Sequence, residues 1–154
     1  MAISFSVNQR QYTLDCEDDA RLLDLLRDEL GLRSVREGCS VGACGACTVL
    51  VDGQPISSCL MLATEVRGRP IETVEGLAEG QRLHPIQEAF VQETAFQCSF
   101  CTPGMLLATK ALLAENPAPS EEEVKDYLAG NLCRCGAYLE ILEAVRSCVS
   151  ARRL

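Results

Sequence analysis

Ten cysteines in a chain of 154 residues are the groups with the most chemistry to offer, and eight of them fall into two sets. Cys39, Cys44 and Cys47 are spaced Cys-x4-Cys-x2-Cys, and Cys59 follows after eleven further residues. Three close thiolates and a remote fourth make the plant-type spacing for a 2Fe-2S cluster. Such a loop must fold tightly and turn backbone N–H groups toward sulfur. Gly38, Gly42 and Gly45 permit this, while Ala43 and Ala46 keep bulk away. The second set is Cys98-x2-Cys101 with Cys133-x-Cys135. Two short-spaced pairs describe a second iron–sulfur site or a tetrahedral zinc site, and spacing alone leaves both open. The neighbouring first set tips the reading toward iron.

The remaining reactive groups are few. His84 is the only histidine, which excludes a Rieske-type site with its two histidine ligands, and its place before Pro85 reads as a helix start. Cys16 and Cys148 belong to neither set and read as ordinary, partly or wholly buried thiols. Arg134, between two candidate ligands, either offsets their charge or is solvated. Arg152 and Arg153 read as a solvated tail. The sequence holds no GxGxxG loop, no P-loop and no recognisable nucleophile–base pair, so no catalytic residue is assigned.

The elements that must position the thiols divide into two groups. Ile3 to Val7 and Gln11 to Leu14 alternate around Asn8-Gln9-Arg10 as a hairpin. A helix is expected over Ala20 to Leu30, capped by Asp18 or Asp19 and stopped at Gly31, with Leu22, Leu25, Leu26 and Leu30 on its buried face. Thr48 to Val51 with the Asp52-Gly53 turn gives a second hairpin, and Ile71 to Val74 a last strand. After the polar stretch from Glu75 to Gln81, every periodic segment is helical. One helix starts at Pro85 and runs to about Thr94, and another starts at Thr102-Pro103 and runs to about Glu115. A third is capped by Ser120 with Glu123, and a fourth starts near Tyr138 with Ile141, Leu142, Val145 and Val149 on one side. The expected organisation is an α+β domain over 1–76 and a helical-bundle domain over 82–154.

Hydrophobic residues make up 47% and charged residues 23%, as in an ordinary folded protein. The N-terminus shows no signal peptide and no stretch reaches the ~18 apolar residues of a membrane span. A cytoplasmic, reducing setting is therefore expected, where metal ligation is favoured over disulfides. The net charge of −8 argues against nucleic-acid or anionic-membrane partners. Domains of this size have thin cores and lean on bound metal for stability.

The strings REGCSVGACGACTVLVDG, QCSFCTPGM and GNLCRCGAY, in order along nearly the whole chain, closely resemble the iron–sulfur subunit of the xanthine oxidase family of molybdenum hydroxylases. The resemblance implies a β-grasp, plant-ferredoxin-like N-terminal domain followed by an all-α four-helix domain, each with one 2Fe-2S cluster. It implies cluster ligation by Cys39, Cys44, Cys47 and Cys59 in the first, and by Cys98, Cys101, Cys133 and Cys135 in the second. It further implies that Gln97 and Cys135 approach a molybdopterin cofactor in a large partner subunit, and that the first cluster faces FAD in a medium subunit. The chain would then be the non-catalytic electron-transfer subunit of a hetero-oligomeric oxidoreductase. Ser99 stands where glycine is frequent in the family, and CRCGAY replaces the frequent CRCTGY; neither change removes a ligand. A free-standing ferredoxin-like carrier and a zinc-stabilised interaction module are the alternatives.

Overall fold

The hairpins form where the sequence places them. In a computed structural model that describes residues 1–150, β1 (Ala2–Val7) pairs antiparallel with β2 (Arg10–Asp15) through Asn8 and Gln9. Both turn residues are left-handed, at φ 49° and 68°, the geometry whose twist suits a tight two-residue hairpin. Asp52 and Gly53 make the equivalent turn between β3 (Thr48–Val51) and β4 (Gln54–Ser57). With β5 (Pro70–Glu72) these strands build one sheet in the order β2-β1-β5-β3-β4, in which only β1 and β5 run parallel. β5 ends earlier than the expected Ile71–Val74 strand, because the Thr73 N–H donates to Asn8 Oδ1 at 2.9 Å instead of extending the ladder.

The expected first helix is shorter and wider than its leucine pattern suggests. Regular α1 covers only Leu22–Asp24 and passes directly into a π-helical turn over Leu25–Glu29, with Gly31 left-handed just beyond. Neither Asp18 nor Asp19 caps it. The chain at Arg21 lies in an antiparallel bridge with Leu62, and the Leu22 and Leu23 N–H groups donate to the carbonyls of Met61 (2.8 Å) and Ser58 (3.1 Å). Tertiary carbonyls thus satisfy the donors that a side-chain cap would otherwise serve.

The second half holds α2 (Pro85–Gln92), α3 (Thr102–Glu115), α4 (Glu121–Leu128) and α5 (Tyr138–Ser150), close to the expected spans. His84 starts α2 as read: its Nδ1 accepts from the Ile86 N–H at 3.2 Å while Gln87 accepts from the His84 N–H. Ser120 and Glu123 make the reciprocal cap of α4. The architecture is a ferredoxin-like sheet domain followed by a helical one. Arg152 and Arg153 lie outside the described residues.

Buried apolar residues gather into two cores, one under the sheet around Phe5, Leu22, Leu26, Val49 and Val51, the other among the helices around Phe90, Met105, Leu107 and Ile141. β3 belongs to both. Alternation along the strand sends Val49 and Val51 into the first core and Leu50 into the second, so all four residues of β3 are buried. α3 lies over this strand and is buried nearly all round, with ten of its fourteen residues inside.

Candidate metal centres

The first four thiols sit where loop and sheet meet. Cys39 and Cys44 lie in the loop leading to β3, Cys47 immediately precedes that strand, and Cys59 follows β4. Cys47 and Cys59 are buried and the other two partly exposed. Their side chains meet in twos, with Cys39 in hydrogen-bonding contact with Cys44, and Cys47 with Cys59. Backbone donors surround them as the loop's glycines suggest. The Ala43 N–H reaches Cys39 Sγ at 3.2 Å, and Gly42 serves Cys59. Backbone hydrogen bonds, led by that from Val41, bring the Cys39 thiol down to about 7. Burial followed by the Cys47 contact pushes Cys59 up to about 11, and burial also raises Cys44.

Left-handed turns at Ser40 (φ 58°), Gly42 (72°) and Gly45 (69°) give the loop its curvature. Gly45 has a second reason to lack a side chain, since a Cβ there would stand 2.5 Å from the carbonyl oxygen of Gly130 and from Asn131 Nδ2.

The second four come from two chain segments. Cys98 and Cys101 precede α3, and Cys133 and Cys135 lie between α4 and α5. Cys98 and Cys135 are exposed, Cys101 is partly covered and Cys133 is buried. They pair across the segments, Cys98 with Cys135 and Cys101 with Cys133. A hydrogen bond from the Phe100 N–H lowers Cys98, whereas burial and the Cys133 contact push Cys101 up to about 12. Burial works against Cys133 as well, but hydrogen bonds from Ala137, Cys101 and Gly136 bring it down on balance. The Cys133 N–H is itself held by the Tyr138 hydroxyl at 2.8 Å.

Both sets therefore converge two and two. Among the described residues, no three or more His, Cys, Asp or Glu side chains meet at one ion position. A dinuclear centre takes two thiolates on each iron, which four cysteines in mutual contact can supply. The residues fit a 2Fe-2S group at each place. The second set, open to zinc by spacing, has the pairwise geometry of the first.

The two places adjoin. Cys44 of the first and Cys98, Cys101 and Cys133 of the second line one cleft of about 400 Å³, with Phe100 and Tyr138 on its walls and exposed Arg134 at its edge. The Leu132 N–H donates to the Cys44 carbonyl at 2.8 Å. Buried Asn131 donates to the Gly45 carbonyl (3.0 Å) and Thr48 Oγ1 (3.1 Å), and Lys110 on α3 pairs with Glu72 on β5. Sequence reasoning missed Asn131 and Leu132, since a main-chain bond and an amide in a loop leave no pattern. Gln97 is exposed, and its Nε2 donates to the Cys135 carbonyl at 3.3 Å, so those two residues are neighbours. Cys148 is buried in the helical core and Cys16 half-buried, both away from the eight.

A family model described as a 2Fe-2S iron-sulfur cluster binding domain matches residues 5–78, and one described as a 2Fe-2S binding domain matches residues 73–146. The nicotinate dehydrogenase small FeS subunit of Eubacterium barkeri is 46% identical over 149 residues, covering 97% of this chain and 95% of the relative. The xanthine dehydrogenase iron-sulfur-binding subunit of Escherichia coli is 45% identical over 153 residues, covering 96% and 94%. Among solved structures, a chain of quinoline 2-oxidoreductase from Pseudomonas putida 86 superposes with a TM-score of 0.92 at 43% identity, covering 100% of this chain and 98% of that one.

Proposed function

The chain belongs to the iron–sulfur subunits of the xanthine oxidase family of molybdenum hydroxylases, and from that premise we propose how its own residues serve electron transfer. It is an electron-transfer subunit with two 2Fe-2S sites and is not the catalytic part of its oxidoreductase. In our reading Cys39, Cys44, Cys47 and Cys59 hold one cluster within a domain over 1–76. Cys98, Cys101, Cys133 and Cys135 hold the other within a domain over 82–154. Gln97 and Cys135, exposed and hydrogen-bonded to each other, face a molybdopterin cofactor in a large subunit. The first set faces FAD in a medium subunit, and the complex works in the cytoplasm. Among the described residues no helix is long and apolar enough to cross a membrane.

The observation that carries this reading is the 2.8 Å hydrogen bond from Leu132 N–H to the Cys44 carbonyl. It joins a ligand of the first set to the residue beside Cys133 of the second by one hydrogen bond and a few covalent bonds. A 2Fe-2S centre, when bound, takes up and gives back a single electron. The residues contribute the thiolates, the N–H groups that soften their charge, and this short bonded bridge, fixed by Asn131 and by the glycine contact at Gly45.

The apolar surface supports permanent partners over a shuttle. Val41 and Leu60, exposed to 68% and 61%, flank the first set. Beside the second, Leu132 and Tyr138 line both the cleft and an adjoining groove of about 420 Å³ that continues over Leu139 and Leu142. A free carrier gains nothing from exposing such faces, whereas a subunit buries them.

Isolation of the chain with its associated proteins tests the reading. We expect molybdenum and flavin in the complex, about four irons per copy of this chain, and two distinct EPR signals on reduction. Cys47→Ser should keep one signal and lose the other. Full iron with both signals in that variant would overturn the ligand assignment, and a chain that carries iron but isolates alone would favour the free carrier.

A further inference from the structure

Arg36 has no part in the assignments above, yet it reaches from the sheet domain onto the loop that carries Cys98 and Cys101. Its guanidinium donates from Nη1 to the carbonyl oxygen of Ser99, and its Cζ lies 5.5 Å from the centroid of the Phe100 ring. The carbonyl of Ser99 and the N–H of Phe100 belong to one peptide unit. That same N–H donates to the Cys98 sulfur. A left-handed Ser99, at φ 62°, lies at the turn where this peptide presents its oxygen to Arg36 and its hydrogen to Cys98. Arg36 is half-buried, always protonated, and among the described residues has no carboxylate at ion-pair distance, so its charge is spent on this peptide.

We infer that Arg36 is a positioning residue that raises the reduction potential of the site formed by Cys98, Cys101, Cys133 and Cys135, by polarising the Ser99–Phe100 peptide. A cation on a carbonyl oxygen draws electron density from the amide and strengthens the hydrogen bond its N–H makes. Stronger N–H donation to sulfur, and positive charge nearby, favour the reduced state, which carries one more negative charge. The sheet domain thereby tunes a site it does not itself ligate. The inference rests on the reading that these four cysteines hold a 2Fe-2S cluster.

An EPR-monitored redox titration of the intact complex with dithionite tests it. Dithionite supplies one electron to a diferric pair and gives a ferric–ferrous one, with no bond made or broken in the protein. Arg36→Gln removes the charge and leaves only a shorter neutral donor; Arg36→Lys keeps the charge and removes the planar stack. We expect Arg36→Gln to lower the reduction equilibrium of the helical-domain site about three- to tenfold, roughly 30–60 mV at 59 mV per tenfold for one electron. Arg36→Lys should stay within about twofold of the unaltered protein. Two full EPR signals with an unchanged midpoint in Arg36→Gln would overturn the inference, as would an equal fall in both variants, which is what loop disorder alone produces. If Arg36→Gln does not fold, Arg36→Met takes its place: a fall of about three- to tenfold beside a near-unaltered Arg36→Lys upholds the inference, and an unchanged midpoint in Arg36→Met overturns it. Failure of the ligand reading shows separately, as an unaltered protein without the second EPR signal, and takes the inference with it.

Discussion

Ser99 illustrates what a single residue contributes to these sites. Its φ of 62° places an L side chain in the left-handed region, at a cost of roughly 1–2 kcal/mol that glycine avoids. The departure from the family's frequent glycine is therefore a departure toward strain, and it leaves Cys98 and Cys101 in the sequence. Ser99→Gly removes the strain but adds backbone freedom to the unfolded chain, worth about 0.5–1 kcal/mol. We expect a net gain of up to about 1.5 kcal/mol, visible as a higher midpoint of thermal unfolding in the iron-loaded protein; a lower midpoint would contradict the strain. The two cysteine sets were legible because they are a pattern of residue type and spacing along the chain. The hydrogen bonds that shift Cys39 and Cys98 downward were not, because they come from main-chain N–H groups that every residue but proline possesses.

Between elements, the decisive contact is made by residues without side chains. Gly104, in the first turn of α3, abuts the ligand loop so closely that a Cβ would stand 2.3 Å from the Gly45 carbonyl oxygen. That oxygen also accepts from Asn131 and from Thr48 Oγ1, so it has no room to retreat. Gly104→Ala should therefore lower stability by about 1–3 kcal/mol through overpacking at the junction. Gly130→Ala is the matched control: a Cβ there meets nothing within 4 Å, and the change should be neutral or slightly stabilising. Chemical denaturation of the two variants separates these outcomes, and equal stability would remove the case for a tight junction. Helix spans in the second half followed from caps and breakers, which are local. The first helix did not follow, because its leucine spacing also suits a π-turn, and its N-terminal donors are met by carbonyls of Ser58 and Met61, some forty residues along the chain.

At the scale of the whole molecule, two cores share one strand, β3, against which the buried helix α3 packs, and the connection between them is held by polar groups. Glu75 accepts from Ser34, Lys110 pairs with Glu72, and His84 starts α2 at the end of the connection. Burial and the charge of Lys110 hold the His84 imidazole below its ordinary value, against the opposing pull of Glu72 and Glu79. The neutral ring is also the form whose Nδ1 can accept from Ile86. A folded-state value below the unfolded one means that this contribution is complete above the unfolded value and is lost as pH falls through the folded one. Thermal stability should therefore decline as pH drops from about 7 toward 5, with ordinary histidine near 6.5. His84→Asn, which caps without titrating, should flatten that decline, and an unchanged profile would rule the cap out as its source. The sequence by itself determined the two sets of four cysteines, the order of hairpins before helices, and the family, because each is a pattern of neighbours along the chain. Only the tertiary structure decided that the second set of thiols meets two and two, that Leu132 bonds to Cys44, and that Arg36 reaches Ser99. Those facts join residues between 32 and 88 positions apart, and no local periodicity records such meetings. The eight thiols stand as two pairs of pairs, held against each other by a hydrogen bond, an amide and a glycine.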